Sequence, residues 1–265
     1  MAKKPRIYEY LNLVVFISTT LFLIAFQQKT IGFVLLAFGV VSLLLCNKDF
    51  RKNLSLVYFC LLILGLIPIN TDTAFPHALY MGLGLFLVIF VPYFVTKKVY
   101  KNNLIKYPNL REKTWSKKRT LYILFTTFLC YLLLPLMLRS TNSYTNWIIE
   151  PGFWNLLESY IGLNIVGIWD ELFFIITILA ILKKYFPFFV ANLAQAVLFT
   201  SFLYTLGFKG WSFIPIFVFA LIQGEIFRKT KSLLYILAIH LTIDLVLHLT
   251  IVYLHYPHLF PFFIT

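Results

Sequence analysis

Nine apolar stretches of roughly 16–22 residues follow one another along this chain, and we interpret them as membrane helices, although the second, third and eighth are short for a bilayer. Hydrophobic side chains make up 60% of its 265 residues and charged ones only 12%, more apolar surface than a soluble domain of this size can hide. We therefore predict an all-α, polytopic transmembrane bundle. The nine predicted spans are approximately 8–26, 31–46, 54–69, 76–95, 120–138, 159–182, 188–208, 212–227 and 232–254.

The basic residues predict the orientation of the chain. Twenty of the 23 Lys and Arg lie in the N-terminal segment and in every second break between spans, whereas the alternating breaks hold only Lys29, Arg139 and Lys209. The positive-inside rule then predicts a cytoplasmic N-terminus and a C-terminus outside. The net charge of +13 therefore reports topology, and we expect no nucleic-acid partner. The expected partners are the lipid bilayer and a membrane peptide or protein. We expect the chain to be a multi-pass protein of a bacterial plasma membrane.

The longest polar segment divides the chain into three parts. We predict an N-terminal region of four spans at 1–96, a basic cytoplasmic loop at 97–119 and a membrane domain of five spans at 120–265. The three cysteines, Cys46, Cys60 and Cys130, lie within or beside apolar runs and lack metal-ligand spacing. The sequence thus indicates no cofactor and leaves open whether a metal ion binds.

Two adjacent acids interrupt the sixth span. Asp170 and Glu171 have apolar sequence on both sides, and burying two unpaired acids at mid-membrane would cost about 5–7 kcal/mol. Ionisable groups at such depth are functional candidates. Since adjacent helical residues point about 100° apart, we expect at most one of them to aim into a given pocket. Glu225, three residues before Arg228, has the simpler interpretation of a local ion pair near the interface.

The last span carries His240, Asp244 and His248 at steps of four residues, which places them on one helix face. Asp244 and Glu171 each lie twelve residues from the predicted cytoplasmic face, a depth of about 18 Å. We therefore predict one buried polar site formed by Asp170, Glu171, His240 and Asp244. For His248 we favour a structural hydrogen bond between helices.

These motifs resemble the CAAX-protease and bacteriocin-processing (CPBP, or Abi) family of intramembrane glutamate-dependent endopeptidases, over about residues 120–255. The family's Glu-Glu-x-x-x-Arg motif corresponds to the stretch from Asp170 to Ile175, and its His-x-x-x-Asn/Asp motif to His240 and Asp244. The Phe-x-x-x-His motif corresponds to Phe199 followed by Leu203.

The resemblance implies a role for each residue. Asp170 would be the general base, Glu171 its partner, and His240 with Asp244 would stabilise the oxyanion. The chain departs from the family at Ile175, which replaces the arginine, and at Leu203, which replaces the water-positioning histidine.

Three functions stay open from the sequence. The first is an intramembrane endopeptidase that cleaves a peptide or a membrane protein. The second is a pseudoprotease that keeps the pocket and positions a membrane or cell-envelope partner, because leucine cannot hold or polarise a water. The third and weakest is a proton- or ion-coupled carrier, since no inverted repeat accompanies the buried acids.

Overall fold

The computed structural model describes residues 5–72, 75–108, 115–260 and 263. Helices account for 80% of the described residues, which form no strand, and this confirms the all-α prediction. The described residues form nine long helices: α1 (Ile7–Ala25), α2 (Lys29–Leu45), α3 (Lys48–Leu66), α4 (Phe75–Phe94), α5 (Lys117–Ser140), α6 (Phe153–Leu182), α7 (Phe188–Thr205), α8 (Phe213–Thr230) and α9 (Leu233–His255). Residues 109–114 of the predicted basic loop lie outside the described part.

Seven of the nine helices are long and apolar enough to cross a membrane. The other two are α2, an apolar helix of fewer residues, and α3, whose first turns contain Lys48, Asp49, Arg51 and Lys52. The chain is thus a multi-pass membrane protein. Nine spans and a cytoplasmic N-terminus stay predictions.

The central helix is α6, which runs for 30 residues and starts six residues earlier than predicted. It is regular as far as Asp170 and then continues as a π-helix over Glu171–Ile178. Three aromatic rings of the core, those of Phe173, Phe174 and Phe199, lie around this segment and are almost fully buried. Asp170 and Glu171, at the start of this segment, therefore lie inside the bundle rather than on its lipid-facing surface.

Segments from three of the predicted cytoplasmic breaks meet at one end of the bundle. The Lys184 ammonium lies 2.6 Å from the Asp49 carboxylate, which joins the loop after α6 to the start of α3. Asn102, beyond α4, donates a hydrogen bond of 3.1 Å to Asn53 on α3. These contacts agree with the prediction that the basic breaks lie on the same side of the membrane.

Helices α2 and α3 pack so closely that a side chain at Gly39 has no room. A Cβ there would overlap the ring of Tyr58, which is buried on α3 and donates a hydrogen bond to the Asn12 carbonyl on α1. The rigid ring, fixed at both ends, cannot move aside easily. The first three helices therefore meet where Tyr58 of α3 packs against Gly39 of α2 and bonds to Asn12 of α1.

We expect Gly39→Ala to lower the free energy of unfolding by about 1–3 kcal/mol, because the added methyl group overpacks the contact with Tyr58. The thermal unfolding midpoint in detergent measures the effect. Gly82→Ala is the matched control, since a Cβ at Gly82 on α4 meets nothing within 4 Å. Equal midpoints for the two variants would contradict the close contact between α2 and α3.

Candidate functional site

The four predicted site residues lie together where α6 meets α9. The Glu171 Oε1 atom lies 2.8 Å from His240 Nδ1, within hydrogen-bond distance. On the other edge of the ring, His240 Nε2 lies 3.9 Å from Asp170 Oδ2 and 3.8 Å from Asp244 Oδ1. Three carboxyl groups thus surround one imidazole.

The expectation that only one of the two adjacent acids could aim into the pocket is wrong. Both carboxyl groups approach His240, Glu171 at Nδ1 and Asp170 at Nε2. This is possible because the two ring nitrogens lie on different edges of the imidazole, so two side chains that diverge can still reach one ring. The α6 winding also changes to the wider π form directly after Asp170, and such irregular turns are frequent at functional sites.

The site is almost completely enclosed. Asp170 and Glu171 are each 1% exposed, and His240 and Asp244 are each 5% exposed. One oxygen of each acid has no hydrogen-bond partner among the described protein atoms: Asp170 Oδ1, Glu171 Oε2 and Asp244 Oδ2. Buried carboxyl groups are costly unless they are paired, so His240 is central to the stability of this cluster.

The site includes a fifth polar residue, Gln223, which was not predicted from the sequence. Gln223 on α8 is 1% exposed, and its Nε2 donates a hydrogen bond of 2.8 Å to Glu171 Oε1. Gln223 could have been singled out from the sequence, because a glutamine in an apolar span needs a polar partner. Gln195 and Gln223 are the only glutamines after Gln28.

Aromatic rings form the apolar side of the cluster. The rings of Phe219 and Phe199 lie with centroids 5.3 and 6.2 Å from that of His240. Leu203, where the family has its motif histidine, lies one turn beyond Phe199 and packs against the apolar core. Ile175, in place of the motif arginine, is buried in the same core. Neither position supplies a polar group to the cluster.

The N-terminal region supports the site helix directly. The indole Nε1 of Trp169, next to Asp170, donates a hydrogen bond of 2.7 Å to the Leu85 carbonyl on α4. The Trp169 ring also stacks on Phe173, with centroids 4.9 Å apart. Helix α4 therefore fixes the part of α6 from which the acids project.

His248 and Glu225, for which we predicted structural roles, both have local partners. The ring of His248 lies 2.8 Å from the Ser159 hydroxyl on α6, so it joins α9 to α6 as expected. The Glu225 carboxylate lies 2.6 Å from Arg228 and 3.1 Å from Lys229. Among the described residues, no group of three His, Cys, Asp or Glu side chains is arranged to hold a metal ion.

Comparison with known proteins gives one family. Residues 152–246 match the family described as "Type II CAAX prenyl endopeptidase Rce1-like". This range includes all four clustered residues and Gln223, and the match confirms the resemblance drawn from the motifs. No curated protein and no solved structure matches the chain.

A glycine makes room for the Asp244 carboxylate. Gly167 lies on α6 one turn before Asp170, and a Cβ at this position would overlap Asp244 Oδ2 and come within 3.4 Å of the His240 ring. We expect Gly167→Ala to lower the free energy of unfolding by about 1–3 kcal/mol, since the added methyl group overlaps the buried Asp244 carboxylate. Denaturant titration in detergent measures this loss.

Asp244→Ala should relieve most of the penalty, because the added methyl group then meets no carboxylate. The two substitutions together should therefore cost less than the sum of their separate effects, by about 0.5–3 kcal/mol. Gly162→Ala on the same helix, where a Cβ meets nothing within 4 Å, should have no such coupling to Asp244→Ala. Additive effects of Gly167→Ala and Asp244→Ala would contradict the close contact.

Proposed function

We propose that the Rce1-like CAAX protease family domain of this membrane protein hydrolyses a peptide bond in a membrane peptide or membrane protein. The observation that carries the proposal is the enclosed cluster in which Asp170, Glu171 and Asp244 surround His240. Hydrolysis needs a group that takes a proton from water and a donor that stabilises the oxyanion, and this cluster contains both kinds of group.

Asp170 is the general base in this proposal. Its Oδ2 lies 3.9 Å from His240 Nε2, too far for a direct hydrogen bond but near enough for one water to contact both atoms. The water gives a proton to the Asp170 carboxylate as its oxygen bonds to the carbonyl carbon. The proton then passes to the amide nitrogen as the carbon–nitrogen bond breaks, which yields a new carboxyl group and a new amine.

His240 stabilises the oxyanion through Nε2, with Asp244 beside it. Asp244 Oδ1 lies 3.8 Å from Nε2 and is one helical turn away on α9, so it can orient the donor without blocking it. Glu171 takes a different part from the one implied by the family motif. Its carboxylate contacts His240 Nδ1, so we assign it to holding the imidazole rather than to assisting Asp170.

The enclosure of the site favours a substrate that arrives through the membrane. The ionisable groups are at most 5% exposed, and the rings of Phe199 and Phe219 pack beside His240. A soluble peptide would lose its hydration on entering such a site, whereas an apolar segment already in the bilayer would not. The helices around α9 must separate to admit it.

The second candidate is a pseudoprotease that binds and positions a membrane or cell-envelope partner. The specific observation in its favour is that Leu203 and Ile175 supply no polar atoms where the family motifs have histidine and arginine. In this case the cluster would have a structural role and the domain would recognise a partner without cleaving it.

We expect Asp170→Asn to reduce cleavage by about 10²–10⁴-fold, because the amide cannot accept the proton of the attacking water. Purified protein in nanodiscs would be incubated with a set of membrane-spanning peptides, and new termini would be identified by mass spectrometry. His240→Gln should reduce cleavage to a similar extent through the loss of the oxyanion donor.

Glu225→Gln is the matched control for removing an acid from a membrane helix, since Glu225 pairs with Arg228 and Lys229 away from the cluster. It should keep activity within about twofold, because an exposed ion pair contributes little to the stability of the fold. Cleavage that Asp170→Asn leaves unchanged would refute the proposed mechanism. A wild-type protein that binds a peptide without cleaving it would favour the pseudoprotease.

A further inference from the structure

Gln223 is the buried polar side chain at the site to which neither the family motifs nor the proposed mechanism assigns a role. Its Nε2 makes two contacts, 2.8 Å to Glu171 Oε1 and 3.2 Å to the carbonyl oxygen of Ile236. Both partners are acceptors, so the amide must present its nitrogen to them. Its Oε1 has no partner among the described residues.

The carbonyl of Ile236 connects Gln223 to the part of α9 that carries His240. Ile236 lies four residues before His240 on α9, so its carbonyl belongs to the helical turn that carries the histidine. Gln223 therefore connects the Glu171 carboxylate on α6 to the backbone of the turn that bears His240. The carboxylate and the imidazole are held in register from a third helix, α8.

The shared acceptor also fixes the orientation of the imidazole. An ionised Glu171 carboxylate is an acceptor only, so Oε1 accepts from the amide of Gln223 and from His240 Nδ1, which lies 2.8 Å away. With Nδ1 committed to Glu171, only Nε2 faces Asp170 and Asp244. A Glu171 carboxylate free to rotate would not hold Nδ1, and the ring would lose the contact that keeps Nε2 towards Asp170 and Asp244.

We propose that Gln223 is a positioning residue that locks the Glu171 carboxylate against Nδ1 of His240, so that Nε2 is the nitrogen presented to the substrate. The part of this inference that concerns substrate rests on the proposed peptidase function. The part that concerns the imidazole does not, and it is tested separately.

Nitrogen-15 NMR of histidine-labelled protein tests the imidazole directly. His240 is one of five histidines, and its signals are assigned as those that disappear in His240→Gln. In the wild type we expect both ring nitrogens to be protonated, Nδ1 towards Glu171 and Nε2 towards Asp170 and Asp244, and to give fixed shifts. In Gln223→Met, which keeps the side-chain length but cannot donate, the His240 signals should move or broaden as the ring loses its fixed contact with Glu171.

Gln195→Met is the matched control. Gln195 is also a fully buried glutamine that donates two hydrogen bonds, to Asn192 and to the Ala220 carbonyl, both 3.0 Å long. Its loss should lower stability, as the loss of Gln223 does, but leave the His240 signals unchanged. If Gln223→Met does not fold, Gln223→Asn is used, because its shorter amide cannot span from Glu171 to Ile236.

The cleavage assay provides the second readout. Gln223→Met should lower kcat by about 10–100-fold with little change in KM, as expected when a reacting group is displaced without loss of substrate contacts. Unchanged His240 signals in a folded Gln223 variant would overturn the inference, whatever the activity. If the wild type cleaves nothing but the signals change as expected, the peptidase proposal fails while the positioning role of Gln223 stands.

Discussion

The hydrogen bond between Glu171 and His240 is the interaction on which the rest of the site depends. It joins α6 to α9 in the interior of a bundle whose other contacts are mostly apolar. Removing one partner would leave the other buried without its main partner, and such a loss costs up to about 3–5 kcal/mol for buried pairs. The bond also sets the plane of the imidazole, and so the positions from which Asp170 and Asp244 approach its opposite edge.

The remaining helices hold this bond in place from several directions. Trp169 anchors α6 to the Leu85 carbonyl of α4, and Gln223 reaches the pair from α8. Gly167 lets α9 come close enough for the Asp244 carboxylate to enter. The N-terminal region thus contributes to the site although it carries none of the family motifs.

Much of this arrangement could be predicted from the sequence, because membranes make polar residues conspicuous. The helical class followed from apolar length, and the grouping of Asp170 and Glu171 with His240 and Asp244 followed from equal depth. The helix pairing that brings in Gln223 could not be predicted, since a single sequence does not specify which faces of α6, α8 and α9 meet. The π-helical segment after Asp170 has no sequence signal that we recognise, and it accompanies the unexpected approach of both acids to one ring.

A double-mutant cycle on Glu171 and His240 tests the central claim most directly. The free energy of unfolding in detergent would be measured for the wild type, Glu171→Gln, His240→Gln and the double variant. Each single variant should be strongly destabilised, and the double variant should be less so than the sum, with an interaction energy of about 1–3 kcal/mol. Additive losses would show that the two side chains do not interact, and the account of the site would then be wrong.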